Sequence, residues 1–260
     1  MSFNELWASG KEIVSKKSML VLLPLALDLL IFAPLAFANL KIAHVKLTLP
    51  TSLPTIQNLL PGAAQVAQES SFVIGYPGTI TNGLLGLVIM FLVMPYINGG
   101  YLGVIAEEIR QMEQRSAFTV LANRYFTRFL LMRLLVLAAF LVLAPMLMIL
   151  PFLAILMVVF LLVFSILLLF WDYSVVYDDI DILQALKKAY AVFTGNLSEV
   201  VRALVPIVLL LIPLTFVTSV IMSSPLFLLM LILYAYLGAV FVSGIMSFYV
   251  RLQGKANEDI

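Results

Sequence analysis

The chain has 260 residues, of which 63% are hydrophobic and 11% charged; soluble domains average about 45–50% and about 25%, so an ordinary water-exposed globule is excluded. The formal net charge of +1 gives no basic excess for binding nucleic acid. With no cysteine and one histidine, His44, the chain lacks the side chains for disulfides, thiolate nucleophiles and Cys/His zinc sites, and we predict a non-enzyme without metal or cofactor.

Six apolar stretches are each long enough to cross about 30 Å of hydrocarbon as a helix. Proline-containing breaks divide the third span from the fourth at Pro145–Pro151 and the fifth from the sixth at Ser223–Pro225, because proline ends or kinks a helix. A proline-rich outer loop at 41–78 separates the first two. The predicted spans lie at about 18–40, 79–105, 129–149, 152–171, 201–222 and 226–250. The chain is thus predicted to be one all-α transmembrane domain, residues 1–260.

The distribution of Lys and Arg predicts the orientation of these spans. Thirteen of the fifteen cationic residues fall on the side of the two termini, and only Lys41 and Lys46 fall on the other side. Short loops rich in Lys and Arg stay in the cytoplasm. We therefore expect a multi-pass protein of the bacterial plasma (inner) membrane with both termini in the cytoplasm.

Short amphipathic segments precede the first, third and fifth spans. The first opens with Ser2 three residues before Glu5, which is the pattern of a capping box. The second begins at Phe118 and the third at Ile182, 64 residues later. This spacing holds one amphipathic helix and two spans. We therefore predict three helix-hairpin repeats, each preceded by a cytoplasmic interfacial helix.

Asp28 lies about ten residues into the first span. An ionised carboxylate at mid-bilayer costs several kcal/mol unless it is paired, protonated or hydrated. One interpretation is a proton or cation site in the bundle interior, with Tyr96 and Asn98 of the second span as partners. The other is a protonated or hydrogen-bonded carboxyl group that orients helices.

Arg115, Arg124 and Arg128 form the cationic face of the second amphipathic segment. Basic side chains at a cytoplasmic membrane surface attract anionic lipids. These three arginines are therefore predicted to bind lipid headgroups.

Four aspartates follow the fourth span, at Asp172, Asp178, Asp179 and Asp181. Carboxylate clusters can hold Mg²⁺ for phosphoryl or prenyl chemistry, but no second aspartate-rich motif accompanies this one. Acidic residues also cap the start of a helix and favour the positive end of its dipole. We favour capping for these side chains.

The same region is predicted to form a cytoplasmic interface for a partner. Gly195 and Asn196 mark the end of one helix and the start of the next, with Asn196 as N-cap. Gly99 and Gly103 form a G-x-x-x-G pattern, which favours close helix packing. The predicted interface residues are Asp178, Asp179, Asp181, Lys187, Lys188, Gly195 and Asn196.

The segment Ala185–Asn196, followed by Val200–Arg202, resembles a group of bacterial six-span membrane proteins. This group includes the membrane domain attached to some glycerophosphodiester phosphodiesterases. The resemblance implies a membrane module that handles lipids or lipid-linked substrates. The catalytic domain of those fusions is absent here, so their activity is not carried over.

The same segment is similar to the coupling segment of ABC importer permeases, because Ala189–Ala191 precedes Gly195 by the right spacing. The leading glutamate of that pattern is missing, and Pro206 lies slightly closer to Gly195 than the proline of the pattern does. This similarity implies an ATPase partner.

The leading functional hypothesis is a non-enzymatic polytopic membrane protein that binds or transports a small or lipid-like substrate, or that scaffolds a membrane complex. One alternative is a permease subunit that works with an ATPase. Another is a membrane-embedded lipid-modifying enzyme that uses the aspartates near Asp178. The expected partners are membrane lipids, a cytoplasmic or membrane protein, and a second copy of the chain, but not nucleic acid.

Overall fold

The computed structural model describes residues 2–32, 54, 89–112, 115–149, 154–221 and 224–258. Every regular element in these ranges is helical, so the predicted all-α class is confirmed. A π-helical turn, Ile89–Val93, precedes the third α-helix. The α-helices are α1 (Phe3–Lys16), α2 (Met19–Phe32), α3 (Met94–Ile109), α4 (Phe118–Ile149), α5 (Ala154–Tyr177), α6 (Ile182–Gly195), α7 (Leu197–Ile221) and α8 (Leu226–Glu258).

Two segments of the described chain are long and apolar enough to cross a membrane. They are Leu197–Thr218 in α7 and Leu226–Gly254 in α8, where the fifth and sixth spans are predicted. Shorter apolar segments occur at Met19–Leu29 and Val163–Tyr177. The six-span arrangement stays a prediction. The predicted outer loop at 41–78 lies outside the described residues except for Pro54.

The chain divides into two compact units, each built from segments far apart in sequence. The first unit contains Met1–Met90 and Ser198–Phe248. The second contains Phe91–Leu197 and Tyr249–Ile260. The long helix α8 therefore supplies residues to both units.

In the first unit, α1 packs directly on α8. A Cβ atom added to Gly10 would lie 2.0 Å from the carbonyl oxygen of Val240, and one added to Gly244 would lie 2.5 Å from that of Leu6. The ring of Trp7 meets Phe241 edge to face, with centroids 5.5 Å apart. The predicted interfacial helix thus has a helix as its partner. Amphipathicity alone does not distinguish a helix partner from a membrane surface.

In the second unit, α4 is one continuous helix of 32 residues. The prediction of a separate interfacial helix before the third span is wrong, because no glycine or proline interrupts the chain between Phe118 and Pro145. The G-x-x-x-G pattern of α3 packs against α4. Added Cβ atoms at Gly99 and Gly103 would lie 3.0 and 2.9 Å from the Cβ atoms of Tyr125 and Leu121, so the predicted close packing is confirmed.

The three amphipathic segments bury side chains in the same register. Each buries three residues that are four positions apart and lie on one helical face. The segment in α4 packs mainly on α3, α6 packs mainly on α5, and α1 packs on α8. The buried triplets are Leu6, Gly10 and Val14, then Leu121, Tyr125 and Phe129, then Ala185, Ala189 and Phe193.

Candidate functional site

The candidate site is built on the turn that ends α5, residues Asp178 and Asp179, here called the aspartate turn. Asp179 has a left-handed backbone, with φ at 55°, and α3 ends in the same way at Gln111, with φ at 52°. The amide of Met112 then donates to the Glu107 carbonyl at 3.3 Å, which completes a Schellman motif. Aspartate tolerates this left-handed conformation better than most residues. Both helices therefore end without the usual glycine.

The Asp178 carboxylate accepts hydrogen bonds from four side chains. Lys188 donates to Oδ1 at 2.7 Å. Gln253 and Tyr249 of α8 donate to Oδ2 at 2.9 and 3.3 Å, and Ser174 donates to the same oxygen at 3.1 Å. The Asp178 side chain is only 11% exposed. Because an ionised carboxylate is stable in such a place only when it is well paired, this residue ties α5, α6 and the end of α8 together.

Asp179 forms ion pairs with two arginines of α4. Arg128 Nη1 lies 2.7 Å from Oδ1, and Arg124 pairs with Oδ2. Burial raises the pKa of Asp179, but the hydrogen bonds from Arg128 and Arg124 outweigh burial and hold it below its usual value. The hydrogen bond to Asp179 in turn raises the pKa of Arg124. Both guanidinium groups lie over the ring of Tyr125, 5.7 and 5.9 Å from its centroid.

A third arginine reaches the same turn of α5 from the end of α3. Arg110 donates to the carbonyl oxygen of Val176 at 3.4 Å, and the Tyr125 hydroxyl donates to that oxygen at 3.2 Å. The Arg110 guanidinium also lies 5.1 Å from the centroid of the Tyr177 ring. Burial raises the pKa of Tyr125, so its phenol stays a donor at neutral pH. We call Arg110, Arg124 and Arg128 the arginine cluster.

Arg115 belongs to a different contact. It pairs with Glu108 at 3.0 Å, while the amide of Ser116 donates to the Glu107 carboxylate at 3.0 Å. Each of the three arginines predicted to bind lipid headgroups is therefore paired with a carboxylate of its own unit. Their binding of lipid stays a prediction, but Arg115 does not share the contacts of the arginine cluster.

The aspartates do not assemble into a metal site in the described part of the chain. No group of three or more His, Cys, Asp or Glu side chains there could hold an ion. Asp181 does occupy the N-cap position of α6, with φ −67° and ψ 154°, but its side chain makes no capping hydrogen bond. Capping is the wrong role for Asp178 and Asp179, because donors from distant helices engage their carboxylates.

The other predicted interface residues separate into different environments. Lys188 lies inside the site, whereas Lys187 is exposed. Gly195 ends α6 with no atom within 4 Å of an added Cβ. The predicted break between α6 and α7 is confirmed. The side-chain amide of Asn196, however, donates to the carbonyl oxygen of Val192 at 3.0 Å, so this side chain stabilises the end of α6.

The residues predicted to accompany Asp28 lie in another unit. Asp28 is fully buried in α2 of the first unit. Tyr96 and Asn98 are in α3 of the second unit, where the Tyr96 ring meets Phe126 edge to face at 6.3 Å. The Oδ1 atom of Asn98 is buried and accepts no hydrogen bond in the described structure. The proton or cation site stays a prediction.

Sequence reasoning missed Arg110, Ser174, Tyr249 and Gln253. Tyr249 and Gln253 are four residues apart and so share one helical face. A polar pair at the end of an apolar span was the available signal. Nothing in the sequence indicates that Asp178 is the partner of this pair, because Asp178 is 71 residues from Tyr249.

Comparison of the chain with family models, curated proteins and solved structures finds no match. The resemblances to the six-span proteins and to the importer coupling segment therefore stay predictions. In α6, which carries both of them, Ala185 and Ala189 are fully buried.

Proposed function

We propose that this chain is a non-enzymatic, multi-span protein of the bacterial plasma membrane. Its cytoplasmic end, built on the aspartate turn, acts as a binding and scaffolding platform. The observation that carries this proposal is an exposed apolar stripe along α7.

The stripe consists of large apolar side chains that are 45–66% exposed. Their spacing of three or four residues puts them on one helical face. Nineteen residues separate its first and last members, a rise of about 30 Å, which matches the hydrocarbon thickness of a bilayer. Lipid is the solvent that suits such a surface. The stripe contains Val201, Val205, Leu209, Ile212, Phe216 and Val220.

Scaffolding is supported by the interior of the second unit. Large aromatic rings fill it, and their side chains are at most 2% exposed. Packed rings of this size favour a rigid body, because protein interiors yield little once filled. These rings belong to Tyr101, Tyr125, Phe129, Phe170, Tyr173 and Tyr249.

The common burial register of the amphipathic segments supports three repeats. In α4 and α6 the segment packs on the second span of the preceding predicted repeat, which is α3 or α5. In the first predicted repeat, α1 packs on α8, the last predicted span. In each of the three predicted repeats, the amphipathic segment therefore packs on a span that belongs to another predicted repeat.

The absence of cysteine from the chain makes the topology directly testable. Single variants Ser2→Cys, Ser52→Cys and Gly254→Cys should be labelled with a membrane-impermeant maleimide in spheroplasts. We expect Ser52→Cys to react in intact spheroplasts, and the other two only after permeabilisation. Labelling of Ser2→Cys and Gly254→Cys from opposite sides would contradict the proposal, as would extraction of the protein by alkaline carbonate.

A second candidate function is ion-coupled transport, and the burial of Asp28 favours it. Asp28 is fully buried and is the only charged residue of α2. Proteoliposomes that contain a pH-sensitive dye measure proton flux under an imposed potential. A carrier predicts that Asp28→Asn abolishes the flux. If the wild-type protein gives no flux and Asp28→Asn only lowers the melting temperature, the carboxyl group orients helices.

A further inference from the structure

We infer that the arginine cluster binds a phosphate monoester, and that Asp179 is the internal anion which the phosphate displaces. The inference deepens the proposed platform and rests on it for one point only, the lipid origin of the phosphate. It assigns Arg110 to the site and removes Arg115 from it.

Three guanidinium groups reach one turn of helix. Arg110 and Tyr125 donate to the same carbonyl oxygen, that of Val176. Arg124 and Arg128 lie over the ring of Tyr125, and both donate hydrogen bonds to the Asp179 carboxylate. Paired N–H donors of arginine match the oxygens of carboxylate and phosphate alike. Asp179 thus occupies a site that is chemically suited to phosphate.

The charges at this site do not balance. The arginine cluster carries three positive charges, and Asp179 supplies one negative charge. Asp178 adds nothing to the balance, because Lys188 neutralises it. The described partners of Arg110 are a carbonyl oxygen and an aromatic ring, neither of which is charged. Glu107 also acts electrostatically on Arg124 and supplies a second negative charge. Once the phosphate has displaced Asp179, two positive charges remain, and a phosphate monoester carries about −1.5 to −2 at neutral pH.

A ligand can reach the cluster from solvent. Arg124 is 52% exposed, and Asp179 is 29% exposed. Displacing the Asp179 carboxylate therefore requires a side-chain rotation and no unfolding. A phosphate diester, with a single charge, should bind more weakly than a monoester.

The test uses the full-length protein in a non-ionic detergent and counts bound molecules by native mass spectrometry. The probes are phosphatidic acid, phosphatidylglycerol, phosphatidylcholine and inorganic phosphate. We expect phosphatidic acid to bind most tightly of the three lipids. The double variant Arg110→Gln with Arg124→Gln should weaken this binding about tenfold or more, because it removes charge-assisted hydrogen bonds. Arg202→Gln, which changes an exposed arginine of α7, is the matched control and should leave binding within about twofold.

Asp179→Asn separates a binding site from a structural contact. If Asp179 competes with the ligand, this variant binds phosphatidic acid several-fold more tightly than the wild type. If the arginines serve only to hold α4, the variant gains nothing. Arg124→Lys keeps the charge and loses the paired donors, so intermediate binding is expected. Circular-dichroism melts verify that each variant is folded, and the single variant Arg110→Gln replaces the double variant if the latter unfolds.

Two results support the inference and identify the source of the phosphate. Competition by inorganic phosphate at a similar affinity points to a soluble monoester, and binding of phosphatidic acid alone points to a lipid headgroup. Wild-type affinity in the folded double variant, or binding in folded Asp179→Asn that is no tighter than in the wild type, overturns the inference. Neither measurement depends on membrane topology, so cysteine labelling can fail independently.

Discussion

The two adjacent carboxylates of the aspartate turn do different work. Asp178 is nearly buried and accepts four hydrogen bonds. Asp179 is more exposed and is held by two arginines. The first therefore joins helices, whereas the second holds a position that another anion can take.

Replacing Asp178 tests its structural role. Asp178→Ala leaves the donors of Lys188, Tyr249 and Gln253 without their acceptor, and each buried donor left unpaired costs about 1–3 kcal/mol. We expect a loss of roughly 2–3 kcal/mol or more in thermal unfolding in detergent. Asp181→Ala is the matched control, because Asp181 makes no capping hydrogen bond, and it should cost less than about 1 kcal/mol. Equal losses for the two variants would contradict the assignment.

The lowered pKa of Asp179 predicts acid sensitivity. A carboxyl group whose pKa is lower in the folded protein adds stability above its unfolded pKa, about 3.9, and this stability disappears as the pH falls through the folded value. Burial opposes the shift, and the Arg128 and Arg124 hydrogen bonds produce it. As the pH falls below about 4, the melting temperature of the wild type should approach that of Asp179→Asn. A constant difference between the two would be inconsistent with the ion pairs.

The residue types of the site were visible in the sequence, but their partners were not. The sequence predicts that Arg124 and Arg128 lie on a cationic face, and the structure pairs both with Asp179. Their partner Asp179 is 55 and 51 residues away, and only the packing of α4 near α5 brings them together. Helix capping, a local interaction, was consequently assigned to carboxylates that make long-range contacts.

At the scale of elements, glycine decides how closely helices approach. Gly10 and Gly244 let α1 lie against the backbone of α8. Gly195 and Gly254 have nothing within 4 Å of an added Cβ. Substitution by alanine should therefore destabilise the protein at Gly10 and Gly244, but not at Gly195 or Gly254.

Gly10→Ala should separate α1 from α8. The new methyl group would lie 2.0 Å from the Val240 carbonyl oxygen, and backbone cannot yield as a flexible side chain can, so we expect destabilisation of at least the 1–3 kcal/mol of an overpacked core. Gly195→Ala, the control, should be neutral or stabilise by up to about 1 kcal/mol, because alanine favours a helix. Thermal unfolding of both variants measures the difference. A folded Gly10→Ala protein with wild-type stability would rule out this helix contact.

The element boundaries that the sequence predicted well are those with a chemical marker. Ser2 caps α1 by accepting from the Glu5 amide at 3.4 Å, and the Gly195–Asn196 pair separates α6 from α7. The join inside α4 has no such marker, and there the predicted break is absent. Amphipathic pattern alone therefore predicts a face and not an end.

At the scale of the whole molecule, the composition predicts an all-α protein, and every regular element in the described part of the chain is helical. Neither unit is contiguous in sequence, since each combines an early and a late segment. Hydropathy locates apolar segments along the chain, but it carries no information on which of them pack together. Such long-range association follows from side-chain fit.

We expect the exposed stripe of α7 to face lipid, and site-directed spin labelling measures this directly. A label on Leu209→Cys, at the middle of the stripe, should collide readily with dissolved oxygen and poorly with a water-soluble nickel complex in reconstituted vesicles. Leu211→Cys, whose parent side chain is buried, provides the control with low access to both reagents. High access of the nickel complex to the label at position 209 would show that the stripe faces water and not lipid.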